Sequence, residues 1–175
     1  MIADTVEYRL ISSHYSDKTA KRSGIPLINH IDEGLVVLDR ISSTDLAKRA
    51  FCLHPLLQND VDLKANYIYV SNVCDASVVM LAMEYRSVAN EYLSDKVNTE
   101  HKIRLSPLYE VNDMLVADKV QNYKDFLTYH KGSHPRSSEL NTYFRDWLTA
   151  LDISPENFLS MCNKIDDFKN ERTKN

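Results

Sequence analysis

The sequence contains little glycine, proline and cysteine. Its 175 residues include 3 glycines and 5 prolines, too few turn-forming residues for a sandwich or barrel of many short strands. The 3 cysteines, Cys52, Cys74 and Cys162, are odd in number and far apart, which argues against a disulfide framework and a Cys-x-x-Cys metal knuckle. We therefore expect an all-α protein that works in a reducing, cytoplasmic compartment.

Long apolar runs and an excess of positive charge are also missing. No stretch approaches the roughly 18 consecutive apolar residues of a membrane span, and the first residues lack the basic and apolar segments of a secretion signal. The 21 basic and 25 acidic residues give a net charge of −4, which offers no electrostatic footprint for duplex nucleic acid. We expect neither a membrane nor a nucleic-acid duplex as partner, and the sequence leaves the oligomeric state open.

The residues that are present describe a folded helical domain. The hydrophobic content is 43% and the charged content 26%, as in globular proteins. We expect a single-domain helical bundle over residues 1–170 and a polar tail at 171–175. Apolar residues at helical spacing predict helices at 3–14, 28–41, 76–93, 138–151 and 155–169, one from Pro107 to Gly132, and one that follows a Ser43 or Thr44 cap and is kinked at Pro55.

Two histidines and one aspartate lie inside apolar helical sequence. His30, His54 and Asp118 all have aliphatic neighbours. A buried carboxylate is costly unless it is compensated, so Asp118 must face a cation, a metal ion or several hydrogen-bond donors. Two imidazoles and a carboxylate from three helices would suit manganese, iron or zinc. The alternative, which spacing alone favours, is a pair of hydrogen-bonded core histidines and an Asp118 paired with lysine or arginine.

Two segments resemble a known enzyme family. The residues Arg22-Ser23-Gly24-Ile25-Pro26-Leu27-Ile28-Asn29-His30 resemble the R-S-G-x-P-Y-I-x-H signature of the hydrolase domain in RelA/SpoT proteins and small alarmone hydrolases. The residues Ala117-Asp118-Lys119-Val120-Gln121-Asn122 resemble the L-A-D-[KR]-x-x-N segment of the same family. The resemblance covers about residues 5–130. It implies the HD-superfamily fold and a site that hydrolyses guanine alarmones such as (p)ppGpp with one manganese ion.

The resemblance also implies roles for individual residues. By position, the two histidines and the aspartate named above are three of the four metal ligands of the family. Arg22 would stack on a purine base, and Lys21 would meet a phosphate. Asn122 lies one helical turn after the aspartate and would contact the nucleotide.

The sequence departs from the family at the positions that carry the chemistry. Where the family reads H-D-x-x-E-D, this chain reads His54-Pro55-Leu56-Leu57-Gln58-Asn59. A proline thus replaces a metal-binding aspartate, and the catalytic positions Gln58 and Asn59 carry amides, which cannot act as a general base. Asp60, the next residue, would substitute as the catalytic carboxylate only after a local shift of the chain.

These departures leave three functions open. The first is a nucleotide-binding protein related to (p)ppGpp hydrolases, with lost or altered hydrolysis and a small guanine nucleotide as partner. The second is an active metal-dependent nucleotide phosphohydrolase with a non-standard ligand set, and the third is a protein-interaction module on the same scaffold. Loss of the catalytic carboxylates favours the first over the second, and the retained Arg22, Asp118 and Asn122 favour it over the third. The cofactor is one manganese ion or none.

Overall fold

The described residues, 1–97 and 102–172 of a computed structural model, form an all-α fold. Within these ranges no strand is present, and the only β-type pairing is an isolated bridge between Thr19 and Pro26. No helix of this part of the chain is long and apolar enough to cross a membrane. The prediction of an all-α protein is confirmed. The helices are α1 (Val6–Tyr15), α2 (Ile28–Arg40), α3 (Asp45–Leu57), α4 (Asp60–Val73), α5 (Ala76–Glu91), α6 (Tyr109–Asp125), α7 (Ser137–Ala150) and α8 (Pro155–Arg172).

Side-chain caps fix where several helices begin. Of the two candidate caps of α3, it is Thr44 whose hydroxyl accepts a hydrogen bond from the Ala47 N–H at 3.2 Å. Ser43 instead donates its hydroxyl proton to Asp113 at 2.6 Å. Ser154 accepts from the backbone N–H three residues further on, also at 3.2 Å, so α8 begins where the Ser-Pro pair predicts.

Helix α4 is absent from the sequence prediction. It begins immediately after α3, and the side chain of Asn59 caps it by accepting from the Asp62 N–H at 2.8 Å. Its apolar residues do not form a buried stripe: Val70 is buried, whereas Ile68 is 76% exposed and Val61 is 78% exposed. A helix without an apolar face lacks the signal from which amphipathic helices are recognised.

Helix α6 lies at the centre of the fold. It packs against α2, α3, α5, α7 and α8, and it is buried on most of its sides. The apolar sequence from Pro107 to Gly132 predicted one long helix in this part of the chain. The α-helix ends at Asp125, and a five-residue π-helical turn, Phe126–His130, continues it towards Gly132, whose φ of 80° is in the left-handed region.

A glycine brings α2 and α3 into close contact. A Cβ atom on Gly34 would lie 2.3 Å from two ring carbons of Phe51, which is much closer than atoms can approach. Gly34 is one turn after His30, and Phe51 is nearly one turn before His54. The close approach of the two helices therefore also brings the two imidazole rings together.

The last helix is tied to the core by ion pairs. Lys169 of α8 pairs with Glu33 of α2 at 2.5 Å, and Arg172 pairs with Asp32. Helix α8 therefore continues through residues 171 and 172, where a polar tail was expected to begin. The rest of that expected tail, 173–175, lies outside the described residues.

Candidate functional site

The three expected metal ligands meet at one point. The Nε2 atoms of His30 from α2 and His54 from α3 are 3.2 Å apart. Oδ1 of Asp118 from α6 is 3.5 Å from Nε2 of His30 and 3.9 Å from Nε2 of His54. Ligand atoms about 2.1 Å from a shared ion, at angles of about 90–110°, lie about 3.0–3.5 Å from one another. The cluster thus has nearly the spacing that a divalent cation requires.

Pro55 sets the tautomer of His54. In a regular helix the N–H of residue 55 would donate to the carbonyl of Phe51, but proline has no N–H. The Phe51 carbonyl oxygen instead lies 2.6 Å from Nδ1 of His54 and accepts its proton. A neutral imidazole with its proton on Nδ1 carries a lone pair on Nε2. His54 therefore presents an unprotonated Nε2 atom to the cluster.

His54 is held in its neutral form. Only 2% of the residue is exposed. Burial, followed by the positive charge that His30 can carry, lowers the pKa of His54 to about 3. Neutral imidazole is the form that binds metal ions, so His54 does not have to lose a proton at neutral pH before it can act as a ligand.

Gln121 of α6 faces the other ring nitrogen of His30. Its Oε1 atom is 2.7 Å from Nδ1 of His30. Its Nε2 atom donates to Asp125 at 2.9 Å and, with a longer contact of 3.4 Å, to Glu33. Because both carboxylates need a donor, the amide must point its oxygen at His30, and Nδ1 of His30 must donate to it.

Asp118 has one oxygen for the histidines and one for a lysine. Oδ2 pairs with Nζ of Lys119 at 2.7 Å, while Oδ1, the atom nearest the histidines, accepts from Asn122 at 2.8 Å. Burial alone would raise the pKa of Asp118, but Lys119, His30 and His54 together lower it to about 2. The carboxylate is therefore charged. Asp118 thus combines features of both alternatives that the sequence left open: it pairs with a lysine, and it also faces two imidazoles.

Lys119 is itself buried in an aromatic environment. Its ammonium group lies 3.2 Å from the Tyr143 hydroxyl and 4.9 Å from the centre of the Trp147 ring. Burial disfavours the charged form, yet Asp118 and then Tyr143 raise the pKa of Lys119 above its usual value. This cation is a fixed part of the site, in contrast to most lysines, which are exposed.

The expected catalytic positions are spread over three different surroundings. Gln58 lies in the wall of the pocket that contains the cluster. Asn59 caps α4 and hydrogen-bonds to Asp62. Asp60 has 91% of its side chain exposed and pairs with Arg86 of α5. Helix α3 ends at Leu57 and a new helix begins after Asn59, and with this arrangement Asp60 is not among the described residues that line the pocket.

A cavity of about 580 Å³ opens over the cluster. Arg22, His130 and His134 line it together with the three ligand residues, with Asn122 and with Asp125. Within the described ranges, the side chain of Arg22 makes no hydrogen bond or ion pair. Lys21 is exposed and lies outside the lining of this cavity. Partial desolvation and the nearby charge of Arg22 lower the pKa of His134.

Sequence reasoning missed Gln121 and Asp125. The signal was present: Asp118, Gln121, Asn122 and Asp125 follow one another at the spacings i, i+3, i+4 and i+7, which place them on one face of α6. No family model, curated protein or solved structure matches the chain. The geometry of this polar face and of the two facing histidines is therefore the evidence for a function.

Proposed function

We propose that the chain is a nucleotide-binding protein of the HD superfamily, related to the (p)ppGpp hydrolases, that has lost hydrolytic activity. The observation that carries the proposal is that two different groups line one cavity. His30, His54 and Asp118 direct three ligand atoms to a common point. The guanidinium group of Arg22 lines the same cavity and has no protein partner among the described residues.

The three ligand residues fit a single divalent ion. Each histidine is held by a hydrogen bond at Nδ1, which leaves Nε2 for the metal, and metal-binding histidines usually have such a hydrogen bond at their other ring nitrogen. His30, His54 and Asp118 would hold a manganese ion, which would supply positive charge for a phosphate oxygen. Among the described residues the cluster comprises these three ligands, and by the sequence resemblance Pro55 stands where the family has its fourth.

The cavity also suits an anionic ligand with a flat ring. Its volume of about 580 Å³ is typical of small-molecule sites. The guanidinium group of Arg22 favours negative charge and stacks well on a purine base, and the two histidines near it at the cavity wall can offer ring N–H donors. Asn122 is on the same helical face as Asp118, where its carbonyl oxygen remains available to a base or a ribose. A guanine nucleotide is the ligand class that matches these groups and the sequence resemblance.

The loss of hydrolysis follows from the surroundings of residues 58–60. Gln58 is the only one of them in the wall of the cavity, and its amide cannot accept a proton from water. Asn59 and Asp60 are engaged in a helix cap and an ion pair. The pocket therefore keeps groups that bind a phosphorylated ligand and lacks the water-activating pair of the family.

Calorimetry on EDTA-treated protein tests the proposal. We expect one manganese site that His30→Ala abolishes and that His14→Ala, a change on α1 outside this cavity, leaves intact. In the presence of manganese, we expect ppGpp to bind without release of pyrophosphate, and Arg22→Ala to weaken nucleotide binding but not manganese binding. Failure of both manganese and nucleotide to bind the wild-type protein would contradict the proposal, as would steady release of pyrophosphate.

One residue favours a second candidate, an active phosphohydrolase. Asp125 is the only carboxylate besides Asp118 in the described lining of the cavity, and its Oδ1 atom is buried without a hydrogen-bond partner. A carboxylate in this position can accept a proton from water. If pyrophosphate is released, we expect Asp125→Asn to stop the release and Asp60→Asn, which removes an exposed carboxylate, to leave it unchanged. The opposite result would exclude Asp125 as the base.

A further inference from the structure

We infer that Gln121 is a positioning residue that sets the tautomer of His30, and that this tautomer keeps the space between the two histidines open for a cation. The inference deepens the proposed function and rests on it for the identity of the cation. It depends on one geometric fact, the separation of 3.2 Å between the Nε2 atoms of His30 and His54.

When both imidazole rings are neutral, this separation allows two exclusive states. His54 has its Nδ1 proton on the Phe51 carbonyl, so its Nε2 atom is an acceptor. If His30 carried its proton on Nε2, that proton would point at His54, and the two rings would form a closed hydrogen-bonded pair. If His30 carries its proton on Nδ1, two lone pairs face each other and repel unless a cation lies between them. The tautomer of His30 therefore decides between a histidine pair and a metal site.

Gln121 selects the state in which His30 has its proton on Nδ1, because the two N–H groups of the Gln121 amide are directed elsewhere. The residue is 1% exposed, so water cannot replace its hydrogen bonds. Its amide nitrogen is directed towards the carboxylates of Asp125 and Glu33, at 2.9 and 3.4 Å. A flipped amide would place its oxygen against two carboxylates, which is strongly unfavourable. The oxygen thus stays 2.7 Å from Nδ1 of His30 and accepts a proton there.

The contacts that orient the Gln121 amide extend to α8. Glu33 is 1% exposed and pairs with Lys169 of α8 at 2.5 Å. Burial alone would lower the pKa of Lys169, but the pairing with Glu33 raises it. The ammonium group compensates the buried charge of Glu33 and so supports one of the two acceptors that orient Gln121. Lys169 acts on His30 only through two intervening side chains, so we expect its effect to be weaker than that of Gln121.

Long-range ¹H–¹⁵N NMR of the ring nitrogens tests the inference without any metal. In EDTA-treated protein at mildly alkaline pH, where ordinary imidazoles are neutral, we expect His30 to carry its proton on Nδ1. In Gln121→Met, which has similar size but no acceptor oxygen, we expect the proton to move to Nε2. We also expect the manganese affinity of this variant to fall by about 10- to 100-fold, as when other residues that hydrogen-bond to a metal ligand are replaced.

Two further variants separate positioning from general damage. Gln121→Glu keeps an acceptor oxygen for His30 but places its second oxygen against Asp125 and Glu33, so it is expected to keep the Nδ1 tautomer while the free energy of unfolding falls. Lys169→Met leaves Gln121 in place and is expected to keep both the tautomer and, within a few-fold, the manganese affinity. A wild-type His30 protonated on Nε2, or a Gln121→Met protein that keeps the Nδ1 tautomer, would overturn the inference. The expected tautomers together with no manganese binding by the wild type would overturn the metal site alone.

Discussion

Helices α4 and α6 are of similar length, 14 and 17 residues, but they relate to solvent in opposite ways. In α4 only Val70 is buried, and apolar side chains such as Ile68 face solvent. In α6 Asp118, Lys119 and Gln121 are buried, each with polar partners that compensate it. Because burial makes a polar group costly, the polar residues of the buried helix are those for which a function must be sought.

The largest effect that this comparison predicts is at Lys119. We expect Lys119→Met to reduce the free energy of unfolding by about 3–5 kcal/mol, because it leaves the buried Asp118 without its cation. Lys124→Met on the same helix is the matched control, since the partner of Lys124, Asp166, has 58% of its side chain exposed and remains solvated. Urea denaturation measures both. Equal losses in the two variants would contradict the special role assigned to the Asp118 pair.

The second prediction concerns acid. Since the pKa of folded His54 is about 3, against an ordinary value of 6.5, the unfolded chain takes up the proton first as the pH falls. The contribution of His54 to the free energy of unfolding is then fully present above about pH 6.5. It is lost as the pH falls towards 3, with a slope of up to about 1.4 kcal/mol per pH unit. His54→Gln removes this titration, so we expect a flatter slope between about pH 5 and 6 in urea denaturation with EDTA. An unchanged slope would show that other groups cause it.

The third prediction tests the contact that brings the histidines together. We expect Gly34→Ala to lower the free energy of unfolding by about 1–3 kcal/mol, because the added methyl group would overlap the Phe51 ring. In a Phe51→Leu background the same change is expected to cost less, since the smaller side chain leaves room. Thermal and urea unfolding of the four proteins of this cycle give the coupling. An equal cost of Gly34→Ala in both backgrounds would contradict the steric explanation.

The smallest effects are expected on α4. Ile68→Lys should change the free energy of unfolding by no more than about 0.5 kcal/mol, because the side chain is already exposed. Val70→Ala, at the buried position two residues away, should cost about 1–3 kcal/mol. Analytical ultracentrifugation of wild type and Ile68→Lys adds a second readout. A change of oligomeric state in the variant would mean that this face of α4 is an interface between copies of the chain, which would favour the interaction-module hypothesis.

The sequence was sufficient to predict the site where polar residues lie within apolar, buried segments. His30, His54 and Asp118 are polar residues in apolar segments, and the structure brings all three together. The long helix at α6 follows from the same apolar pattern. Helix α4 was missed because a helix that buries one side chain has no periodic signal, and its presence also explains why Asp60 turns towards Arg86.

Other features of the site require three-dimensional information. Lysines are mostly exposed, so the sequence around Lys119 does not indicate that it is buried. Its burial follows from its contacts with Tyr143 and Trp147 of α7. The role of Gln121 depends on Glu33, which is 88 residues away in the sequence. Contacts of this kind have no local pattern, because they arise only when distant helices pack.

Pro55 also has a consequence for any attempt to add a metal ligand by mutation. Pro55→Asp would place a further carboxylate in the wall of the cavity, but it would also add a backbone N–H that competes with His54 for the Phe51 carbonyl. One exchange thus couples the gain of a carboxylate to the release of a neighbouring tautomer. The two effects are not additive, so the site benefits only when a second change holds the ring of His54 in place.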